Sequence, residues 1–382
     1  MNDSIQTPRF AIRKYFTLWA AALMLLAAGG CTSLGPRAIK WERTPYNLAI
    51  QETQDTQLLL NLVRLKYRDT PVFLELNSIA SQFTFQSGLG NGDSALAEVA
   101  DSAITWKPGL NLTFSNQPTV TYTPLQGEKF AQLLLSPLKI ETVMLLYRSG
   151  WPLKRILRLC VQRLNRVENA VRASGPTPER APKYEEFADV VELMIWLNQR
   201  GYLDLVYEAP PKTDEAARIV MQINSEAFPL PETQQLLKRL ELVPGKIHYP
   251  VTYQLVEHAD KGGLDHLEVE TRSLLGVLFF LAQAVEAPET DVGAGRVTVT
   301  RTEAGEVFDW KKVVRQLMRI QSSPSRPANA AASVWYRGSW FFIDDSDLGS
   351  KSTFALLTQL VALQSGEVTR LAPVLTLPVG KQ

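Results

Sequence analysis

With 382 residues and 45% hydrophobic composition, the chain can bury the core of one large or two medium domains, which argues against disorder as its default state. Its 40 Lys and Arg stand against 39 Asp and Glu, so the basic excess expected of a nucleic-acid binder is missing and no nucleic-acid partner is expected.

The first 30 residues divide as an export signal does. Arg9, Arg13 and Lys14 make a positive start opposed only by Asp3. Phe16 to Ala28 is an apolar run of about 13 residues, short of the roughly 20 that a membrane-crossing helix needs. The order Ala28-Gly29-Gly30-Cys31 resembles the lipobox of bacterial lipoproteins, with alanine where leucine is usual. That resemblance implies cleavage before Cys31 and acylation of its sulfur, and two or more acyl chains anchor a protein stably. Thr32 follows, not aspartate; by resemblance to lipoproteins sorted in Gram-negative cells, this implies the outer membrane and not retention at the inner one, and the periplasmic face is the expected side. With Cys31 acylated, only Cys160 remains, so no internal disulfide is expected and a buried thiol is.

Residues 31–43 read as a tether of turn formers and charges. Asn47 to Tyr67 reads as a helix whose second half is apolar on most sides (Leu58, Leu59, Leu60, Leu62, Val63, Leu65), as befits a helix driven into a core. Strand-like alternation follows at Val72 to Leu76 and Phe83 to Phe85, with the apolar parity reversed between them, which predicts a bulge near Ser78. Leu110 to Ser115 and Val120 to Tyr122 alternate again, after a glycine-rich turn at Ser87 to Asp93, and a three-stranded antiparallel sheet is the simple reading. Helices are predicted at Glu128 to Leu135, Ile140 to Tyr147 and Pro152 to Asn165, the last on the stripe Leu153, Ile156, Leu157, Cys160, Val161, Leu164. Residues 172–182 gather Ser, Gly and three prolines, and are read as a linker between an N-terminal domain, 44–171, and a C-terminal domain, 183–382.

In the second half, helices are expected at Tyr184 to Gln199, Pro231 to Leu240, Thr271 to Val285, Trp310 to Ile320 and Lys351 to Leu363. Strands are expected at Leu203 to Tyr207, Ile219 to Ile223, His248 to Val256, Val297 to Thr300, Val334 to Tyr336, Trp340 to Ile343 and Val374 to Leu377. Arg337-Gly338-Ser339 makes a tight hairpin, and Phe354, Leu357, Leu360 and Val361 lie at the spacing of a helix that covers it. The order of elements implies an α+β fold with helices and short antiparallel sheets, not alternating βαβ units.

Three segments together, Gln57 to Asp69, Thr121 to Phe130, and Tyr336 to Asp345 continuing through Ser350 to Phe354 and Pro373 to Gly380, resemble a group of uncharacterised lipoproteins of Gram-negative bacteria. The resemblance spans most of the chain after Cys31 and implies location, not an activity.

Candidate chemistry is sparse. His248, His258 and His266 have neither HExxH spacing nor a cysteine pair beside them, and Glu257 to Glu268 reads as a solvated charged turn, so no metal or cofactor is expected. No G-x-S-x-G elbow is present, and Cys160 lies on an apolar stripe. Asp345-x-Asp347-x-Gly349 opens like a calcium loop but lacks its later ligands, and reads better as a helix cap. Lys154, Arg155, Arg158 and Arg166 form a basic helix face, a candidate contact for anionic polymers or lipid phosphates. The expectation is a membrane-anchored, non-catalytic binding or assembly factor of the envelope, with envelope proteins or polymers as partners. The rival is an enzyme of the cell wall or of exported polysaccharide whose acidic residues meet only in the fold.

Overall fold

The computed structural model describes residues 34–91, 108–124, 127–208, 218–253, 263–365 and 375–378. The fold is α+β. The chain divides into two units, Met1–Gln54 and Asp55–Gln382. Cys31 lies outside the described residues, as do Glu257, His258 and Asp260. Among the described residues no helix is long and apolar enough to cross a membrane.

The first helix, α1 (Leu34–Lys66), starts well before Asn47, so the tether expected at 31–43 is helical from Leu34. In its last turns Asn61, itself buried, clamps the chain that follows: its amide donates to Val72 O (2.7 Å) and accepts from Val72 N (2.9 Å). Strand β1 (Leu74–Asn91) pairs antiparallel with β2 (Pro108–Pro124), and the register shifts between Leu76 and Ser78, where the parity reversal placed a bulge. The turn expected at Ser87 to Asp93 is strand as far as Asn91, and the two alternating stretches after it are one strand. The third strand of this sheet is the C-terminal β12 (Leu375–Pro378), which lies at the edge against β2.

Helices α2 (Glu128–Leu135), α3 (Ile140–Arg148) and α4 (Leu153–Cys160) follow as expected, except that α4 stops five residues early. Val161–Leu164 is strand β3, and Val167–Glu168 is β4. The error has a simple source: Val161 and Leu164 are buried, but as the two ends of a short strand, whose spacing of three matches a helical stripe. A 3₁₀ turn, Val171–Ser174, leads to α5 (Glu185–Gln199). Then come β5 (Leu203–Glu208), β6 (Arg218–Ile223), α6 (Pro231–Arg239), β7 (His248–Thr252) and β8 (Leu267–Thr271). These strands build one mixed sheet of six, in the order β4-β3-β8-β7-β6-β5, with β7 and β8 parallel.

The very apolar α7 (Leu274–Ala282) is a buried central helix, N-capped by Ser273, whose Oγ accepts from Gly276 N. After α8 (Glu289–Gly293), only α9 (Lys311–Val314) is helical within Trp310 to Ile320. Strands β9 (Gln321–Ser323), β10 (Ala330–Tyr336) and β11 (Ser339–Asp344) form a third sheet, which α10 (Leu348–Ser365) follows. The β10–β11 loop is two residues, Arg337 (φ 47°) and Gly338 (φ 84°), both left-handed as a hairpin turn of this hand requires. Asp347 caps α10 by accepting from Ser350 N (2.9 Å), the capping role preferred over calcium for this segment.

Ala173 and Thr177 are buried, and the whole of Asp55–Gln382 is one unit. Within it one hydrophobic cluster gathers α7 with Leu58, Leu59, Leu62 and the hairpin β10–β11, while a second lines the six-stranded sheet beneath α5 and α6. Residues 67–69, at the end of α1, meet the β10–β11 hairpin here. Tyr336 donates to the Asp69 carboxylate, Arg337 pairs with it at 2.9 Å, and Tyr67 packs edge-on against Tyr336 and Phe341.

Candidate functional site

The basic residues chosen from helical spacing do not form one free face. Lys154 pairs with Glu192 on α5. Arg155 donates to Gly349 O (3.1 Å), and Arg158 reaches Gln316 Oε1 and Val313 O, both at 2.6 Å. Burial lowers the pKa of both arginines, with Glu192 acting the other way on Arg158. Arg166 is exposed and pairs with Glu241 at 3.2 Å. Two of the four therefore hold α4 to the later part of the chain.

Unspent positive charge collects elsewhere, around the proline-rich segment expected to be a linker. Three prolines between Gly175 and Lys183 deny this stretch a helix, so its backbone groups must pair outside it. Arg301 N donates to Glu179 O and Ala181 N to Arg301 O, each at 2.8 Å, laying residues 179–181 alongside 299–302. Thr300 Oγ1 adds a bond to Pro178 O (2.6 Å), and the buried Trp310 indole donates to Thr300 Oγ1 (3.0 Å). The strand expected at Val297 to Thr300 is thus replaced by an extended wall with isolated bridges only. On the other side Ala170 N donates to Lys183 O (2.8 Å) and closes the base.

Between these walls lies a cleft of about 1110 Å³. Arg163, Arg172, Arg180, Lys183 and Arg301 line it, against Glu168, Glu179 and Glu303, so it carries a positive balance on a nearly neutral chain. Arg163 is paired with Glu270 (3.2 Å), and the Arg301 guanidinium donates to Gly305 O (2.8 Å). Arg172, Arg180 and Lys183 are exposed and have no ion-pair partner among the described residues.

The wall bearing Arg172 is fixed from behind by Arg272, the largest fully buried side chain. Its Nη1 donates to the carbonyls of Leu159 (3.0 Å) and Val161 (2.9 Å), its Nη2 to Asn169 O, and its Nε to Ser174 Oγ (3.1 Å). The Ser174 hydroxyl passes the constraint on to Gln162 Oε1 (2.8 Å). Arg272 thus fixes the backbone that bears Arg172, and three exposed cations share one cleft, which favours recognition of several negative groups at once.

Other candidates resolve simply. Cys160 is fully buried, and burial pushes its thiol up to about 12 against the opposing field of Arg272. His266 sits between Asp265 (3.0 Å) and Glu268 (3.4 Å), and the described residues contain no group of His, Cys, Asp and Glu able to hold a metal ion. The cleft was missed in the sequence because proline content was read as a boundary; the local signal was Arg172, Arg180 and Lys183 against the single Glu179. No protein-family model matches the chain, and no curated protein or solved structure matches it either.

Proposed function

We propose that this chain is an outer-membrane lipoprotein, held on the periplasmic face through acylated Cys31, that acts as a non-catalytic factor binding acidic polymers of the envelope. The observation that carries the binding reading is the cleft, with Arg172, Arg180 and Lys183 unpaired on one pre-set frame. A single exposed cation contributes little at physiological salt, where the screening length is about 8 Å. Three lining one cleft attract the same polymer and add their attraction. The anchoring reading rests on the charge, apolar run and Ala-Gly-Gly-Cys order of the first 31 residues.

Two outcomes are expected. Cys31→Ser abolishes incorporation of labelled acyl chains and shifts the protein out of the membrane fraction; unchanged partitioning overturns the anchor. Joint reversal of the cleft cations (Arg172→Glu, Arg180→Glu and Lys183→Glu) weakens binding to alginate, a carboxylate polymer, by at least about tenfold and flattens its salt dependence. Each of these positions is exposed, so folding is retained, with changes within about 0.5 kcal/mol per site. Full affinity in the triple variant removes the cleft from the binding reading.

A further inference from the structure

Lys66, in the last turn of α1, is 7% exposed. A buried ammonium normally faces a carboxylate, because desolvation of an uncompensated charge costs several kcal/mol. Here the partner is neutral: Nζ donates to Gln283 Oε1 at 3.2 Å, and Gln283 is held in turn by Thr177 Oγ1 (3.1 Å) and Phe279 O (3.2 Å). Lys66 and Gln283 also line a cavity of about 160 Å³, and the ammonium has donors beyond the one it gives Gln283.

The other charges around this cavity do not neutralise Lys66. Glu286 is committed to Lys311 (3.2 Å) and Arg319 (2.9 Å), and the Asp309 carboxylate accepts from Lys311 N (3.0 Å). Arg315, also at the lining, has no ion-pair partner among the described residues. Four cations thus face two occupied carboxylates. The rest of the wall is apolar, with Trp310, Val314 and Met318. At about 30 Å³ per liquid water the space suits a handful of heavy atoms, with one anionic end and one apolar end.

We propose that this cavity binds a short aliphatic carboxylate, its oxygens on Lys66 Nζ and its alkyl tail against Trp310 and Met318. The site is separate from the cation-lined cleft and stands or falls without it. Burial holds Lys66 down at about 8, so the charged form that a carboxylate selects is lost across the mildly alkaline range.

The test is titration of the full-length protein with butyrate. Only the ammonium form binds, so affinity is expected to be full below the Lys66 pKa and about tenfold weaker at about pH 9 than at about pH 7. Lys66→Met removes binding, and Arg315→Gln weakens it while leaving the melting curve unchanged. Should Lys66→Met fold poorly, the wild-type protein with isotope-labelled lysine gives the same answer: butyrate raises the pH at which the Lys66 side chain titrates, and butylamine does not. Binding that ignores pH or survives Lys66→Met overturns the proposal. So does a Lys66 titration that butyrate leaves in place, or equal binding of chloride, which would make the cavity a general anion hole.

Discussion

Arg272→Met is expected to lower stability against unfolding by about 3 to 5 kcal/mol, because several buried acceptors lose a donor at once and each one left unsatisfied costs about 1 to 3 kcal/mol. The side chain is fully buried and pairs with no carboxylate among the described residues, so its charge must be balanced otherwise. It sits at the end of α4, where the carbonyls of Arg158 (3.2 Å) and Leu159 (3.0 Å) have no helical donor of their own and carry the negative end of the helix dipole. The guanidinium also lies 4.0 Å over the centroid of the Phe280 ring, a cation–π contact inside the core. Burial still wins in part, holding the group at about 9, with a small opposing contribution from Cys160. Methionine restores apolar contact with Phe280 but leaves the acceptors of Arg158, Leu159, Val161, Asn169 and Ser174 without this donor. Arg272→Lys keeps the charge with fewer donors and a different geometry, and falls between the two. Urea unfolding monitored by circular dichroism measures the difference. A loss under about 1 kcal/mol would mean that these acceptors find other partners and that the frame of the cleft does not depend on Arg272.

Local pattern made much of this fold legible, and long-range pairing set the limit. The parity reversal around Ser78 located a real register shift, because alternation is a property of one strand alone. The Arg337-Gly338 hairpin was equally local: a two-residue loop needs left-handed residues, and glycine supplies one of them cheaply. Strand β8 was missed because His266, Glu268 and Glu270 gave Leu267–Thr271 a charged look, although Leu267, Glu268 and Val269 are all buried in the six-stranded sheet. The end of α4 was missed because its true stop is Arg272, more than a hundred residues later, capping its carbonyls. The cleft suffered the same fate. Residues 179–181 and 299–302 gain meaning only beside each other, and a proline-rich stretch alone is indistinguishable from a linker.

Deletion of everything from Leu348 onward is expected to leave no cooperative unfolding transition, whereas deletion from Pro373 onward is expected to preserve one. Helix α10 places Phe354, Leu356, Leu357 and Leu360 in the larger hydrophobic cluster, three of them with no exposed surface. At about 1.5 to 3 kcal/mol for each buried side chain of this size, the four together match the whole net stability of an ordinary domain, about 5 to 15 kcal/mol. Polar ties follow the same helix: Thr353 Oγ1 donates to Leu317 O, and Arg319 N donates to Ser350 Oγ (2.8 Å). Removing α10 would also strip cover from α2 and α7, against which it packs. The segment after it differs in kind. Strand β12 adds only four residues of backbone pairing to the outer side of β2, and a cut at Pro373 leaves α10 whole. Thermal melts of the two truncations separate the cases. A cooperative melt of the shorter protein would show that α10 is a docked accessory, and loss of cooperativity in the longer one would mean that the sheet β1-β2-β12 is coupled to the core through its last strand.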